Sequence, residues 1–181
     1  MADYVAAHIT IGGTVRERIV PNLCEAIVKQ GVSLEWGEWN FCPESSEELL
    51  NARQDLASAK VLRVFCDEVA YGNFTVLQEF LVDHQLPFDR WHESKYEIPC
   101  ELMVYRPDGA LRFHLTNLEG EIVVRAEPLT GLAELLQQTQ TLLRTRGKQA
   151  ASQVLRRCQQ LVAEHLPLAI PPLTALTIVA D

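Results

Sequence analysis

Long hydrophobic runs are missing: apolar stretches such as 102–105 and 122–124 stop after a few residues, far short of the roughly 20 that a membrane-spanning helix needs. No membrane span is expected. The first dozen residues carry Asp3 and lack both a basic stretch and a small-residue cleavage pattern, so no secretory signal is read there and the expected location is the cytoplasm. The five cysteines, Cys24, Cys42, Cys66, Cys100 and Cys158, are odd in number, irregularly spaced and without a C-x-x-C pair. That spacing argues against a disulfide framework, a thioredoxin-like motif and a zinc knuckle, and it suits reduced, mostly buried thiols. The five histidines include no H-E-x-x-H and no pair four residues apart, so a metal site would need assembly in three dimensions from residues such as His92, Glu93 and His114. No metal and no cofactor is expected. Positive charge is also scarce, with 16 Lys and Arg against 24 Asp and Glu, and a net charge of −8 disfavours nucleic acid as a partner.

What is present describes a folding chain. Hydrophobic residues make up 48% and charged residues 22% of 181, which matches ordinary globular proteins and the size of one domain, read as 1–181. Charge is unevenly spread: residues 129–181 hold five basic and three acidic side chains, a net of +2, whereas residues 1–128 hold eleven and twenty-one, a net of −10.

Periodicity divides the chain into segments. Residues 4–11 are β-branched and apolar and stop at Gly12-Gly13, which predicts a first strand. Leu23, Ala26 and Ile27 are spaced for a helix that starts near Pro21 or kinks there and ends at Gly31. Val32, Leu34 and Trp36 alternate with Ser33, Glu35 and Gly37, which predicts a strand over 32–41. Ser45 and Glu48 form a capping box for a helix running to about Ala57. A strand over 61–66, a helix capped by Asn73 and closed by Pro87, and a strand over 88–92 complete a second strand-helix-strand unit within 1–93. Ile9 with Val64 and Trp36 with Trp91 both differ by 55 positions, a faint sign of repetition.

Over 97–126 the alternation of Ile98, Cys100, Leu102 and Val104, the turn at 106–109, the alternation of Leu111, Phe113 and Leu115, and a second turn at 117–120 predict an antiparallel three-stranded meander. Residues 129–166 carry leucines at helical spacing and are expected to form helix, either two helices broken near Gly147 or, since the stripe stays in phase, one long helix. Residues 173–179 fit a last strand on the sheet edge or a terminal arm.

Four groups of residues invite functional readings. Gly12-Gly13-Thr14, between a strand and a helix, suits an anion held by backbone amides, although the phosphate-loop patterns are absent and a plain turn is the ordinary explanation. Cys66, just past a central strand, and His92, ending the strand of the same unit, suit a thiol nucleophile and its base, against the commoner case of a buried cysteine and a satisfied histidine. Trp39 and Phe41, with Trp91 and Tyr96, suit a partner surface or a second core. Arg144, Arg146, Arg156 and Arg157, with Lys148, make a basic cluster that is either a partner surface or a solvated helix face.

The expected class is α+β: a mixed sheet built from two strand-helix-strand units, an antiparallel meander, and a helical C-terminal region packed on the sheet. The first part loosely resembles the ferredoxin-like βαββαβ core, departing from it in the helix between the second and third strands; the resemblance implies no activity. The expected function is a non-catalytic protein-interaction or regulatory module, with a protein partner or self-association. The alternatives are a small cysteine enzyme using Cys66 and His92, and a nucleic-acid accessory protein using the basic C-terminal helix.

Overall fold

The computed structural model describes residues 3–38, 40–56, 59–109, 111–124, 126–167 and 169–181. In chain order they form β1 (Tyr4–Ile11), β2 (Thr14–Arg16), α1 (Val20–Gln30), α2 (Ser46–Asn51), β3 (Gln54–Leu56), β4 (Ala59–Ala70), α3 (Thr75–Asp83) and β5 (Phe88–His92), followed by β6 (Glu101–Tyr105), β7 (Arg112–Leu115), α4 (Ala126–Thr145), α5 (Lys148–His165) and β8 (Thr177–Val179). The class is α+β, with a six-stranded antiparallel sheet and five helices among the described residues. Two compact units divide the chain: Met1–Glu121 with Ile170–Asp181, and Ile122–Ala169.

In the first unit the sheet runs β3-β4-β1-β5-β6-β7. β1 lies inside it, antiparallel to β4 on one side and to β5 on the other. Alternation along β1 sends Val5, Ala7, Ile9 and Ile11 into the core. There they meet Leu62 and Val64 of β4, Phe88 of β5, Leu23 and Ile27 of α1, and Leu77 and Leu81 of α3. Each such fully buried side chain contributes about 1.5 to 3 kcal/mol by leaving water. α1 begins with Pro21 in its first turn, where the missing N–H costs nothing, and ends at Gly31 in the left-handed conformation (φ 68°).

The sheet is antiparallel throughout rather than mixed. The chain reverses between β3 and β4, which pair antiparallel, and β4 therefore runs back along β1. Within 32–41, where the alternation predicts a strand, the Phe41 N–H donates back to the Val32 carbonyl, and among the described residues only Ser33 bridges to the sheet, at Phe65 of β4. The one parallel pairing among the described residues joins β2 to β8, away from the main sheet, so the terminal strand is not an addition to the sheet edge.

Other departures have local causes. The Ser45 cap forms, its hydroxyl accepting from the Glu48 N–H at 3.3 Å, but the Glu48 carboxylate reaches back to the Glu44 N–H instead of Ser45. α2 stops at Asn51 rather than near Ala57 because Arg53 caps it, donating to the Leu50 carbonyl and to that of Leu176, after which the chain extends as β3. α3 is preceded by Phe74 rather than capped by Asn73, whose carbonyl accepts from the Thr75 N–H. The hairpin of the meander forms, with Met103 opposite Phe113, but its third strand does not. The second turn forms as expected, Asn117 accepting from the Glu121 N–H at its side-chain oxygen and donating to Glu121 from its amide nitrogen and its backbone N–H.

One charge is buried on the helix side of the sheet. Arg90 of β5 is 1% exposed, and its guanidinium donates to the Glu101 carboxylate at 2.7 Å and to the Gly72 carbonyl at 3.1 Å. Gly72 is itself required there: a Cβ would lie 2.4 Å from the His92 ring, and its φ of 68° strains any other L-residue.

The second unit is a pair of helices, α4 and α5, separated at Gly147, the first of the two arrangements expected from the sequence. Residues 128, 132, 135, 139 and 142 make the more sheltered stripe of α4, and no residue of α4 is fully buried. Leu129, Leu136 and Leu143 are exposed and recur every seven residues.

Candidate functional site

The face of the sheet away from α1 and α3 carries the other half of each strand's alternation. His8 of β1 stands opposite Phe65 of β4 and opposite Trp91 of β5, which sets three rings in one rung across the sheet. The His8 ring stacks on Trp91 at 5.3 Å between centroids and lies 5.7 Å from Phe65. The loop that replaces the expected strand lays Trp36 over this rung, 4.8 Å from Phe65 and edge-on to His8 at 6.4 Å. Such tilted and offset contacts are the favourable ones for aromatic rings.

The next rung is polar. Thr10 of β1 lies between Arg63 of β4 and Asp89 of β5. Arg63 Nε donates to Thr10 Oγ1 at 3.1 Å, while Arg106 forks onto Asp89 with bonds of 2.8 and 3.3 Å. Toward the other end, Ala6 sits at an irregularity in the β1–β4 register, and its N–H donates to Glu93 Oε1 at 3.2 Å. Leu56, Val61, Leu118, Glu119, Gly120, Pro172 and Leu173 rim the two rungs and enclose a cleft of about 760 Å³. Pockets of roughly 300 to 1,000 Å³ with apolar walls and a few fixed polar groups are the usual form of small-molecule sites.

Burial between the rings, reinforced by the Arg63 charge, lowers the pKa of His8 from its ordinary 6.5 to about 4, so the imidazole is neutral at physiological pH. Burial likewise draws the Arg63 guanidinium below its ordinary value, with Asp89 opposing the shift.

The residues singled out in the sequence fall elsewhere. Cys66 and His92 both pair with Ala7, one from each side, so they share a rung and a face. A whole strand separates them, two strand spacings or about 9.5 Å. Both lie on the helix side of the sheet: the Cys66 thiol donates to the Glu68 carbonyl at 3.6 Å, and His92 Nδ1–H donates to the Glu93 carbonyl at 2.9 Å. Burial lowers the pKa of His92, partly offset by that carbonyl. The geometry does not bring this nucleophile and base together.

The Gly12 N–H donates to Pro87 and the Gly13 N–H to Thr174, while Thr14 stands opposite Thr177 in β2, so the two glycine amides of the turn are already occupied. Trp39 lies outside the described residues. Phe41 packs against the core rather than presenting a surface, whereas Trp91 does lie on the face away from it. Arg144, Arg146, Arg156 and Arg157 are all exposed on the helical pair. His92 and Glu93 point to opposite faces of the sheet, and among the described residues no three His, Cys, Asp or Glu side chains gather as a metal site. No described helix is long and apolar enough to cross a membrane.

His8, Thr10, Arg63 and Phe65 are the site residues that sequence reasoning missed. Their signal is the minor phase of the same alternation that reveals β1 and β4. Comparison with family models, with curated proteins and with solved structures found no match for this chain.

The lowered pKa of His8 fixes a stability profile. Above pH 6.5 both folded and unfolded chains hold the imidazole neutral; between 6.5 and 4 the unfolded chain takes up a proton that the folded one refuses. Stability contributed this way is therefore full above 6.5, falls as pH drops toward 4, and changes no further below, by at most roughly 3 kcal/mol. Urea titrations at pH 7 and pH 4.5 should show the unfolding free energy of wild type falling more than that of His8→Phe. The loss is reduced rather than abolished in the variant, because His92 acts in the same direction. Equal losses in the two proteins would contradict the assignment.

Proposed function

We propose that this chain is a non-catalytic binding module whose ligand rests on the aromatic face of the sheet, in a core of ferredoxin-like arrangement. The observation that carries the proposal is the rung Phe65–His8–Trp91, covered by a half-exposed Trp36 and enclosed in a cleft of about 760 Å³. Exposed aromatic surface on a folded protein costs free energy in water, and a concave arrangement of it favours a ligand that removes that cost.

Support for the ferredoxin-like core comes from the order β4-β1-β5, antiparallel on both sides, with α1 and α3 on one face. The Ser33 bridge at Phe65 stands on the outer side of β4, where such a core has its second strand. Support for binding without catalysis comes from the separation of Cys66 and His92 and from their position on the covered face. The five unpaired cysteines suit a reducing compartment, in keeping with a cytoplasmic protein.

Ligand-observed NMR with a library of small aromatic fragments tests the cleft. Fragments that bind wild type should weaken by about tenfold or more on Trp36→Ala, since stacking on an aromatic side chain contributes about 1 to 3 kcal/mol. Binding that ignores both Trp36→Ala and Trp91→Ala would place the site elsewhere.

A second reading, self-association through the helical pair, is favoured by Leu129, Leu136 and Leu143, exposed at the seven-residue spacing of helix-helix seams. Light scattering on the full chain should then give a dimer that Leu136→Glu with Leu143→Glu converts to monomer. A wild-type monomer would end this reading.

A further inference from the structure

The cleft has two unlike ends. At one, Arg63 and Phe65 lie two residues apart on β4 and point to the same face, with Trp36 packed over Phe65. Trp36 is 45% exposed, so a large part of its ring faces water. Arg63 is anchored through Nε to Thr10, and its two terminal nitrogens make no hydrogen bond among the described residues. The nearest carboxylate across the rung, Asp89, has both oxygens engaged by Arg106, so its charge is already answered. Arg63 is thus a half-buried cation, fixed to the protein at Nε and open to the cleft at its terminal nitrogens.

The free carboxylates lie toward the opposite end. Glu93 is held at Ala6, four residues along β1 from Thr10, or about 13 Å at the rise of a strand. Glu119 sits on the turn beside Trp91, where a Cβ at Gly120 would come within 3.9 Å of Trp91 Nε1. An anion at Arg63 therefore gains a forked, charge-assisted pair of hydrogen bonds without facing these groups directly, whereas a cation drawn to the rings of Trp36 and Phe65 meets the like charge of Arg63.

We propose that the cleft takes a small planar aromatic molecule bearing one negative group, its ring against Trp36 and Phe65 and its anion on the terminal nitrogens of Arg63. This rests on reading the cleft as the binding site and adds the ligand's chemistry. The neutral His8 leaves the aromatic floor without a competing charge, and the volume of about 760 Å³ suits a small molecule rather than a folded partner. A single arginine in a chain of net charge −8 also favours one anionic group over a phosphate backbone.

Three probes that share a ring and differ in charge test this on the full chain at neutral pH: 2-naphthoate, naphthalene-2-carboxamide and 2-naphthylmethylammonium, titrated by calorimetry. The carboxylate should bind tightest, by about tenfold over the amide, as expected of hydrogen bonds to charged groups. Arg63→Gln should erase that preference, with far-UV circular dichroism and thermal unfolding matching wild type showing that the variant is folded, and Arg63→Lys should retain part of it. Equal affinities, a preference for the ammonium, or a carboxylate preference that survives Arg63→Gln would overturn the ligand class while leaving the cleft reading intact. Failure of all three probes to bind would overturn both. A dimer of wild type that Trp36→Ala dissociates would mean that a second copy fills the cleft, and would overturn the small-molecule proposal.

Discussion

β1 is paired on both edges, and the sorting of its side chains by that pairing governs the first unit. A strand with two neighbours has no freedom to slip by one residue, because a slip would carry Val5, Ala7, Ile9 and Ile11 into water and His8 and Thr10 into the core. Burial of those four side chains against α1 and α3 thus fixes more than stability. It fixes which residue of β4 and which of β5 faces His8, and so brings Phe65 and Trp91, 26 residues apart in sequence, to the same ring.

The two faces of the sheet solve different problems. The covered face is a packed apolar core that tolerates one buried cation, Arg90, by giving it Glu101 and the Gly72 carbonyl; charge there serves the fold, and desolvation consumes much of what the pairing gains. The other face holds Arg63 with a single anchor, neighbours of opposite charge already engaged, and rings partly open to water. Arg90 is sealed in the covered face with its Nε left unpartnered, whereas the terminal nitrogens of Arg63 open onto the cleft; access, rather than hydrogen-bond satisfaction, separates scaffold from site.

Much of the fold was legible where one signal acts locally. β1, α1 with its proline start and glycine stop, the hairpin of β6 and β7, and the break at Gly147 each follow from periodicity or capping within a dozen residues. The failures share a cause. Residues 32–41 alternate as a strand does, yet among the described residues none beyond Ser33 bridges to the sheet, and Trp36 covers Phe65; alternation records which side chains avoid water, not whether a partner strand exists. The second turn of the meander forms at Asn117–Glu121, but among the described residues no strand follows it to pair with β7. The candidate site was less legible than the fold. Trp91 stood out as an aromatic on a strand, but His8, Arg63 and Phe65 become a group only through register, which no local pattern encodes. Cys66 and His92 show the reverse: the sequence suggests a pair, and register inserts Ala7 between them.

The register around β1 is open to direct measurement. Nuclear Overhauser contacts from the His8 ring protons in the folded chain should reach both Phe65 and Trp91, together with Trp36 from above. Contacts to neither neighbour, or contacts from His8 to Leu23 and Leu77 on the helices instead, would mean that β1 is turned over or shifted, and the cleft with its aromatic floor would not exist.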